Sequence, residues 1–156
     1  MACPFFMPVE KLESGAWAHP ARLPLGCGWR GLCAAPGHQG EVPSQEELQE
    51  FCNLGYAERC TRLPQERPWD AVRFAIVPLR TRDPESDGGD GRSRVRLRYV
   101  CERRHRPVEH GTLEFDVAAS HWVQRHADGR VQQMAECFLA EYLNRSRRQD
   151  AAPVAS

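Results

Sequence analysis

Apolar and polar residues alternate with a period of two in three segments of the second half of the chain, at residues 72–77, 94–99 and 113–117. Successive side chains of a strand face opposite sides, so each segment is predicted to be a β-strand with one buried and one solvated face. The polar connections at 83–92 and 103–111 are rich in residues that favour turns. The pattern therefore predicts a three-stranded antiparallel meander.

A helical period replaces this alternation at residues 130–147. Apolar side chains recur there three and four positions apart and form one stripe: Val131, Met134, Ala135, Phe138, Leu139, Tyr142 and Leu143. We expect the stripe to cover the apolar face of the meander, because an amphipathic helix and a half-buried sheet each need a partner layer. Residues 67–148 are thus predicted to form the meander and its helix, and residues 149–156 a disordered tail.

Residues 1–66 follow neither period, and they are rich in proline and glycine. One short helix is predicted at about residues 45–53, where Ser44 and Glu47 have the spacing of a capping box. The expected fold class is therefore α+β. An irregular cysteine-rich N-terminal segment with one short helix precedes a three-stranded antiparallel meander packed by a C-terminal helix.

Composition narrows the expected compartment and partners. No apolar run approaches the roughly 20 residues of a membrane helix, and the first residues lack the basic region of a secretory signal. We expect a cytoplasmic protein without a membrane partner, whose seven cysteines are thiols rather than disulfides. The formal net charge of zero gives the whole molecule no general attraction to polyanions.

Five of the seven cysteines lie in the irregular N-terminal segment: Cys3, Cys27, Cys33, Cys52 and Cys60. Structural zinc sites usually take their thiolates in closely spaced pairs, yet the chain has no CxxC motif. The cysteines of an iron–sulfur cluster bind separate iron atoms and can come from distant loops, so this spacing favours a cluster, with zinc as the alternative. A third interpretation is that all five are buried packing residues, as Cys101 and Cys137 are predicted to be from their strand and helix positions.

The cysteines occur in the motifs CPFF at residues 3–6, GCGWRGLC at 26–33 and CNLGYAERC at 52–60. In these patches, and weakly in DAVRFAI at 70–76, the chain resembles a group of small uncharacterised bacterial proteins with CPFF, GxC and CNLGYAxxxC motifs. The resemblance implies that Cys3, Cys33, Cys52 and Cys60 are the metal ligands. Cys27 falls where the group has another residue, which leaves it as an alternative ligand.

Residues Arg92–Arg106 include seven arginines and one glutamate. Nucleic acid is one interpretation of this run. The other is that Arg96 and Arg98 face Glu114 and Asp116 on the neighbouring strand as cross-strand ion pairs, which leaves only the hairpin loop unpaired. The alternation on both strands favours the ion pairs.

No catalytic motif is present, so a protein other than an enzyme is favoured. The leading hypothesis is a small iron–sulfur protein, with a 4Fe-4S cluster used for electron transfer or redox sensing. The alternatives are a zinc-stabilised module that binds an unknown protein or nucleic acid, and a small enzyme whose chemistry the sequence does not specify.

Overall fold

A computed structural model describes residues 2–13, 23–77 and 94–150 of the 156-residue chain. The predicted loop at 83–92 and most of the predicted C-terminal tail lie outside the described residues. Residues 149 and 150, which were assigned to that tail, form the last two positions of a helix.

The N-terminal segment contains a β-hairpin that the sequence did not predict. Strands β1 (Phe6–Lys11) and β2 (Trp29–Cys33) pair antiparallel, with a register shift between Pro8 and Glu10. The prediction of an irregular segment was therefore wrong for these residues. Pro8 and Gly31 are poor strand formers, so local propensity hides the pairing. In the hairpin, the close approach of Gly31 to the backbone of Met7 leaves no space for a side chain.

The short helix predicted after Ser44 is confirmed, but most of it has π-helical geometry. One α-helical turn, α1 (Gln45–Glu47), continues into a π-helical segment at Leu48–Cys52. Ser44 Oγ accepts a hydrogen bond from the Glu47 N–H, and the Glu47 side chain accepts one from the Ser44 N–H. This reciprocal capping fixes where the helical segment begins, and the segment ends at a cysteine.

The sheet of the second half has four antiparallel strands, in the order β3-β4-β5-β6. They are β3 (Ala71–Val77), β4 (Arg94–Arg103), β5 (Arg106–Asp116) and β6 (His121–Gln124). The meander is confirmed, but its predicted count of three strands was wrong, because β6 is too short to show a period. The predicted nine-residue loop between the second and third strands is instead a tight turn at Arg104 and His105, because both strands extend beyond their alternating segments.

A long helix, α2 (Gly129–Asp150), packs against the apolar face of this sheet. The rings of Phe74 on β3 and Phe138 on α2 have their centroids 5.8 Å apart. Val72, Leu97 and Met134 are fully buried in the same core. The predicted covering of the sheet by the helical stripe is therefore confirmed.

Residues of the N-terminal segment contribute to that same core, among them Phe5, Phe6 and Leu25. Ala2 pairs with Val72 as an isolated β-bridge at the free edge of β3. Gln133 of α2 donates a hydrogen bond to the carbonyl oxygen of Pro8 in β1. The N-terminal hairpin is thus attached to both the sheet and α2. Within the described ranges, no helix has the length and apolarity needed to cross a bilayer.

Candidate cysteine site

Four separate parts of the fold carry the cysteines that were predicted to bind metal. Cys3 follows the β-bridge of Ala2, and Cys33 is the last residue of β2. Cys52 ends the π-helical segment, and Cys60 lies in the turns that follow it. Cys3 is buried, whereas the other three are partly exposed, so the group lies between the core and the surface.

These four thiols interact electrostatically, because the charges of some affect the pKa of others. The charges of Cys3, Cys60 and Cys33 all raise the pKa of Cys52, and those of Cys60 and Cys33 raise the pKa of Cys3. Backbone hydrogen bonds agree with this proximity, since the Cys3 N–H donates to the carbonyl oxygen of Cys52 at 3.0 Å and the Ala34 N–H, next to Cys33, donates to that of Phe5 at 2.7 Å. All of them are free thiols in the structure.

Burial is the main cause of the pKa shifts at two of these thiols. It raises the pKa of Cys3 to about 12 and that of Cys52 further, because a thiolate loses its hydration in the protein interior. At neutral pH both groups therefore carry protons when no metal is bound. A metal that binds there as a thiolate complex must displace those protons.

Positive groups and N–H donors surround the site and favour the charged form of the sulfur atoms. The Ala35 N–H donates to Cys33 Sγ at 3.5 Å, and a backbone hydrogen bond from Phe5 lowers the pKa of Cys3. The Arg67 charge also lowers the pKa of Cys3, and Arg62 interacts electrostatically with Cys33. These contributions oppose the effect of burial.

Arg62 is held in place by carboxylates rather than left free. Its guanidinium contacts Glu41 at 2.9 Å and Glu47 at 2.8 Å. Arg62 and Arg67 were not predicted to belong to the site. No spacing rule could have identified them, because their relation to the cysteines arises only when the turns at 53–70 fold back over the N-terminus.

A buried asparagine joins two of the elements that carry cysteines. Asn53 is 1% exposed, and it directly follows Cys52. Its side-chain amide accepts from the Trp29 N–H and donates to the carbonyl oxygens of Trp29 and Leu48. Strand β2 is thereby fastened to the end of the π-helical segment, which positions Cys52 relative to the hairpin.

Cys27 lies in different surroundings from these four thiols. Burial raises its pKa to about 11, with a further contribution from the carboxylate of Glu141 on α2. It interacts electrostatically with Cys137, also on α2. The predictions that Cys137 and Cys101 are packing residues are confirmed, since both are buried members of the hydrophobic core.

Across residues 2–13, 23–77 and 94–150, no three histidine, cysteine, aspartate or glutamate side chains are arranged to hold a metal ion. The four thiols share a neighbourhood without converging as the ligands of a single ion. The metal ligation predicted from the sequence therefore stays a prediction.

Two of the four arginines of β4 pair with carboxylates across the sheet, and the ion-pair interpretation predicted this for Arg96. Arg96 pairs with Glu114 at 3.3 Å, and Arg94 pairs with the same carboxylate at 2.8 Å. The predicted pairing of Arg98 was wrong, because the register places Thr112 opposite Arg98 and Asp116 opposite Arg94.

Comparisons with known protein families, with curated proteins and with solved structures found no match to this chain.

Proposed function

We propose that the protein holds an iron–sulfur cluster, most simply of the 4Fe-4S type, through Cys3, Cys33, Cys52 and Cys60. Its role in this proposal is electron transfer or redox sensing. The supporting observation is that four thiols from separate parts of the chain interact electrostatically with one another, whereas Cys27 interacts with Cys137 and Glu141 of α2.

A cluster suits this arrangement better than zinc. The ligands of a zinc ion surround a single point at about 2.3 Å, usually from closely spaced pairs. The cysteines of a cluster bind different iron atoms, so their sulfur atoms are farther apart. The four cysteines of this chain come from separate parts of the fold without a CxxC pair, which fits the second geometry more closely.

The chain's own residues would tune such a centre. Hydrogen bonds to the sulfur atoms and nearby positive charge stabilise the more reduced, more negative form of a cluster. The Ala35 N–H at Cys33 and the charges of Arg62 and Arg67 would have that effect on a cluster bound here. The partial exposure of Cys33, Cys52 and Cys60 leaves one side of the site near the surface, where electrons can be exchanged.

Metal analysis of anaerobically purified protein tests the proposal. We expect brown protein with iron and acid-labile sulfide in about equal amounts, as a 4Fe-4S cluster requires. Cys52→Ser and Cys60→Ser should abolish the iron content. Cys137→Ser is the matched control and should leave it unchanged, because Cys137 packs in the core.

Other results would overturn the proposal. Colourless protein with one equivalent of zinc would support the zinc-stabilised binding module instead. Folded protein without metal after reconstitution with iron and sulfide would refute both. Loss of iron in Cys27→Ser but not in Cys60→Ser would show that the cluster has a different ligand set.

A further inference from the structure

Three residues with strained backbones meet at the tip of the β4–β5 hairpin. Tyr56, Arg104 and His105 have φ values of 50°, 50° and 61°, in the left-handed region that residues other than glycine seldom adopt. Arg104 and His105 form the two-residue turn, where asparagine and glycine are the usual choices. The imidazole of His105 stacks on the ring of Tyr56, with the centroids 4.1 Å apart. Such strain persists only where the surroundings enforce it, and it often marks a binding site.

Hydrogen bonds fasten this turn to the segment that follows the cysteine site. The Arg104 N–H donates to Asp70 Oδ2 at 2.7 Å, and Asp70 Oδ1 accepts from Arg67 Nε at 2.7 Å. The Tyr56 hydroxyl donates to a carboxylate oxygen of Glu102 at 2.6 Å. The backbone of the turn is thereby fixed, while the side chain of Arg104 takes no part in fixing it.

The fixed turn presents arginines that have no acidic partner. In the described part of the chain, no carboxylate pairs with the side chains of Arg103, Arg104 or Arg106, and all three are exposed. On the same two strands, Arg94 and Arg96 are both paired with Glu114. Arg98 of β4 also lacks an acidic partner in the described residues, but it stands alone, whereas the tip brings three such arginines together.

Two of these arginines, Arg103 and Arg104, border a cleft of about 270 Å³ between the turn and residues 56–70. Arg103, Arg104, His105 and Tyr56 line it, together with Gln65 and Glu58. Asp70 also faces the cleft, but its charge is compensated by Arg67. Glu58 is the one carboxylate at the cleft that has no cationic partner within the described residues, so positive charge predominates.

We infer that this cleft binds a small molecule that carries a phosphate or diphosphate group. Guanidinium groups donate paired hydrogen bonds that match the geometry of phosphate oxygens, and they remain charged at every physiological pH. The side chains of Arg103 and Arg104 supply this recognition, and His105 and Gln65 add further donors. The strained turn holds the donors in position before the ligand arrives, which lowers the entropy cost of binding.

The same observations argue against a long polyanion as the ligand. Binding along a nucleic-acid backbone needs a continuous track of positive charge, and its affinity grows with the number of phosphates contacted. Here Arg94 and Arg96 are neutralised, and the net charge of the chain is zero. A compact cleft at one hairpin tip accommodates one or two phosphate groups.

Calorimetric titration of the full-length protein with inorganic pyrophosphate tests the inference. At 150 mM salt we expect saturable binding of one equivalent. The double variant Arg103→Gln/Arg104→Gln should weaken it at least about tenfold, since each charge-assisted phosphate contact contributes substantially. Arg98→Gln is the matched control, because Arg98 lies on β4 opposite Thr112 and also lacks an acidic partner in the described residues. It should bind pyrophosphate as the wild type does.

Three outcomes would overturn the inference. One is the absence of saturable pyrophosphate binding by folded wild-type protein. Another is an equal loss in the Arg98→Gln control, which would show attraction by overall charge. The third is binding of a single-stranded oligonucleotide about a hundredfold tighter than pyrophosphate, which would assign the cleft to nucleic acid. Cys60→Ser should leave pyrophosphate binding unchanged. The outcome of this test then does not depend on the proposed cluster.

Discussion

The backbone N–H of Cys3 donates a hydrogen bond to the carbonyl oxygen of Cys52, with the nitrogen and oxygen atoms 3.0 Å apart. Cys3 is held on one side by the bridge between Ala2 and Val72, and Cys52 is held on the other by the capped helical segment. This contact uses only the backbone. The two cysteines are therefore expected to stay adjacent in metal-free protein, with both thiols available for a metal.

Alkylation of the metal-free protein should distinguish the candidate site from the core. Cys33 and Cys60 are partly exposed, whereas Cys101 is fully buried and Cys137 nearly so. In native protein treated with iodoacetamide at pH 8, we expect the first pair to react at least about tenfold faster, because buried thiols react only after the structure opens. Peptide mass spectrometry measures the rates.

Reconstitution with iron and sulfide before alkylation provides the second half of this experiment. Cys33 and Cys60 should then become protected, because a ligated sulfur is no longer a free nucleophile. Continued fast labelling of both residues in protein that has taken up iron would show that the iron is bound elsewhere.

Asn53→Ala should strongly destabilise the fold. The substitution removes three buried hydrogen bonds and leaves the N–H and carbonyl of Trp29 without their partner. We expect the free energy of unfolding to fall by about 3 kcal/mol, the cost of burying unsatisfied backbone groups. Urea denaturation measures it. Asn144→Ala, at an exposed position on α2, is the control and should change stability by less than about 0.5 kcal/mol.

Glu141 should make stability depend on pH in the acidic range. Burial alone raises the pKa of Glu141, but hydrogen bonds from Lys11 and Arg145 outweigh this effect and hold the pKa below its usual range. A carboxyl group with a lowered pKa in the folded state stabilises the protein above its unfolded-state pKa. That contribution is lost as the pH falls through the folded-state value.

Glu141→Gln should therefore lower the free energy of unfolding by roughly 2 kcal/mol at pH 7, the scale of hydrogen bonds to a charged group. Its difference from wild type should shrink as the pH falls below 4.5, because protonation makes the native side chain resemble the variant. Glu136→Gln, which disrupts an exposed pair with Arg125, should cost less than about 1 kcal/mol. A constant difference for Glu141→Gln down to pH 2 would contradict the expectation.

The strain at the hairpin tip should be visible in glycine substitutions. Arg104 has a positive φ, which glycine adopts without steric cost, so Arg104→Gly should stabilise the protein by about 1 kcal/mol. Arg106→Gly should destabilise it by a similar amount, because position 106 begins β5, where glycine only adds entropy to the unfolded chain. Thermal unfolding compares the two, and destabilisation by both variants would show that the turn is not strained.

The regular part of the fold could be predicted because its signals are local. The alternation around Val72, Leu97 and Leu113 and the stripe that includes Met134 reflect burial that each segment experiences along its whole length. Strand β6 could not be predicted in the same way, because only Trp122 of its four residues contacts the core. In such a short segment, pairing with β5 determines the strand conformation, and the local β propensity contributes little.

The residues of the cysteine site were likewise only partly accessible from the sequence. The motif resemblance selected Cys3, Cys33, Cys52 and Cys60, whose thiols interact electrostatically in the structure, and their ligation of a metal stays a prediction. The motifs gave no indication of Arg62 and Arg67, nor of the amide of Asn53 that aligns β2 with the helical segment. Those relations join residues far apart in the chain, so they exist only after folding.

What the sequence by itself determined is the type of each long element and the chemistry available in it, because period and residue type act over neighbouring positions. The tertiary structure alone decided which thiols meet, where the hairpin of β4 and β5 turns, and which arginines are left without a carboxylate. Those outcomes depend on strand register, and a register shift of two residues would have placed Arg96 opposite Asp116 and Arg98 opposite Glu114.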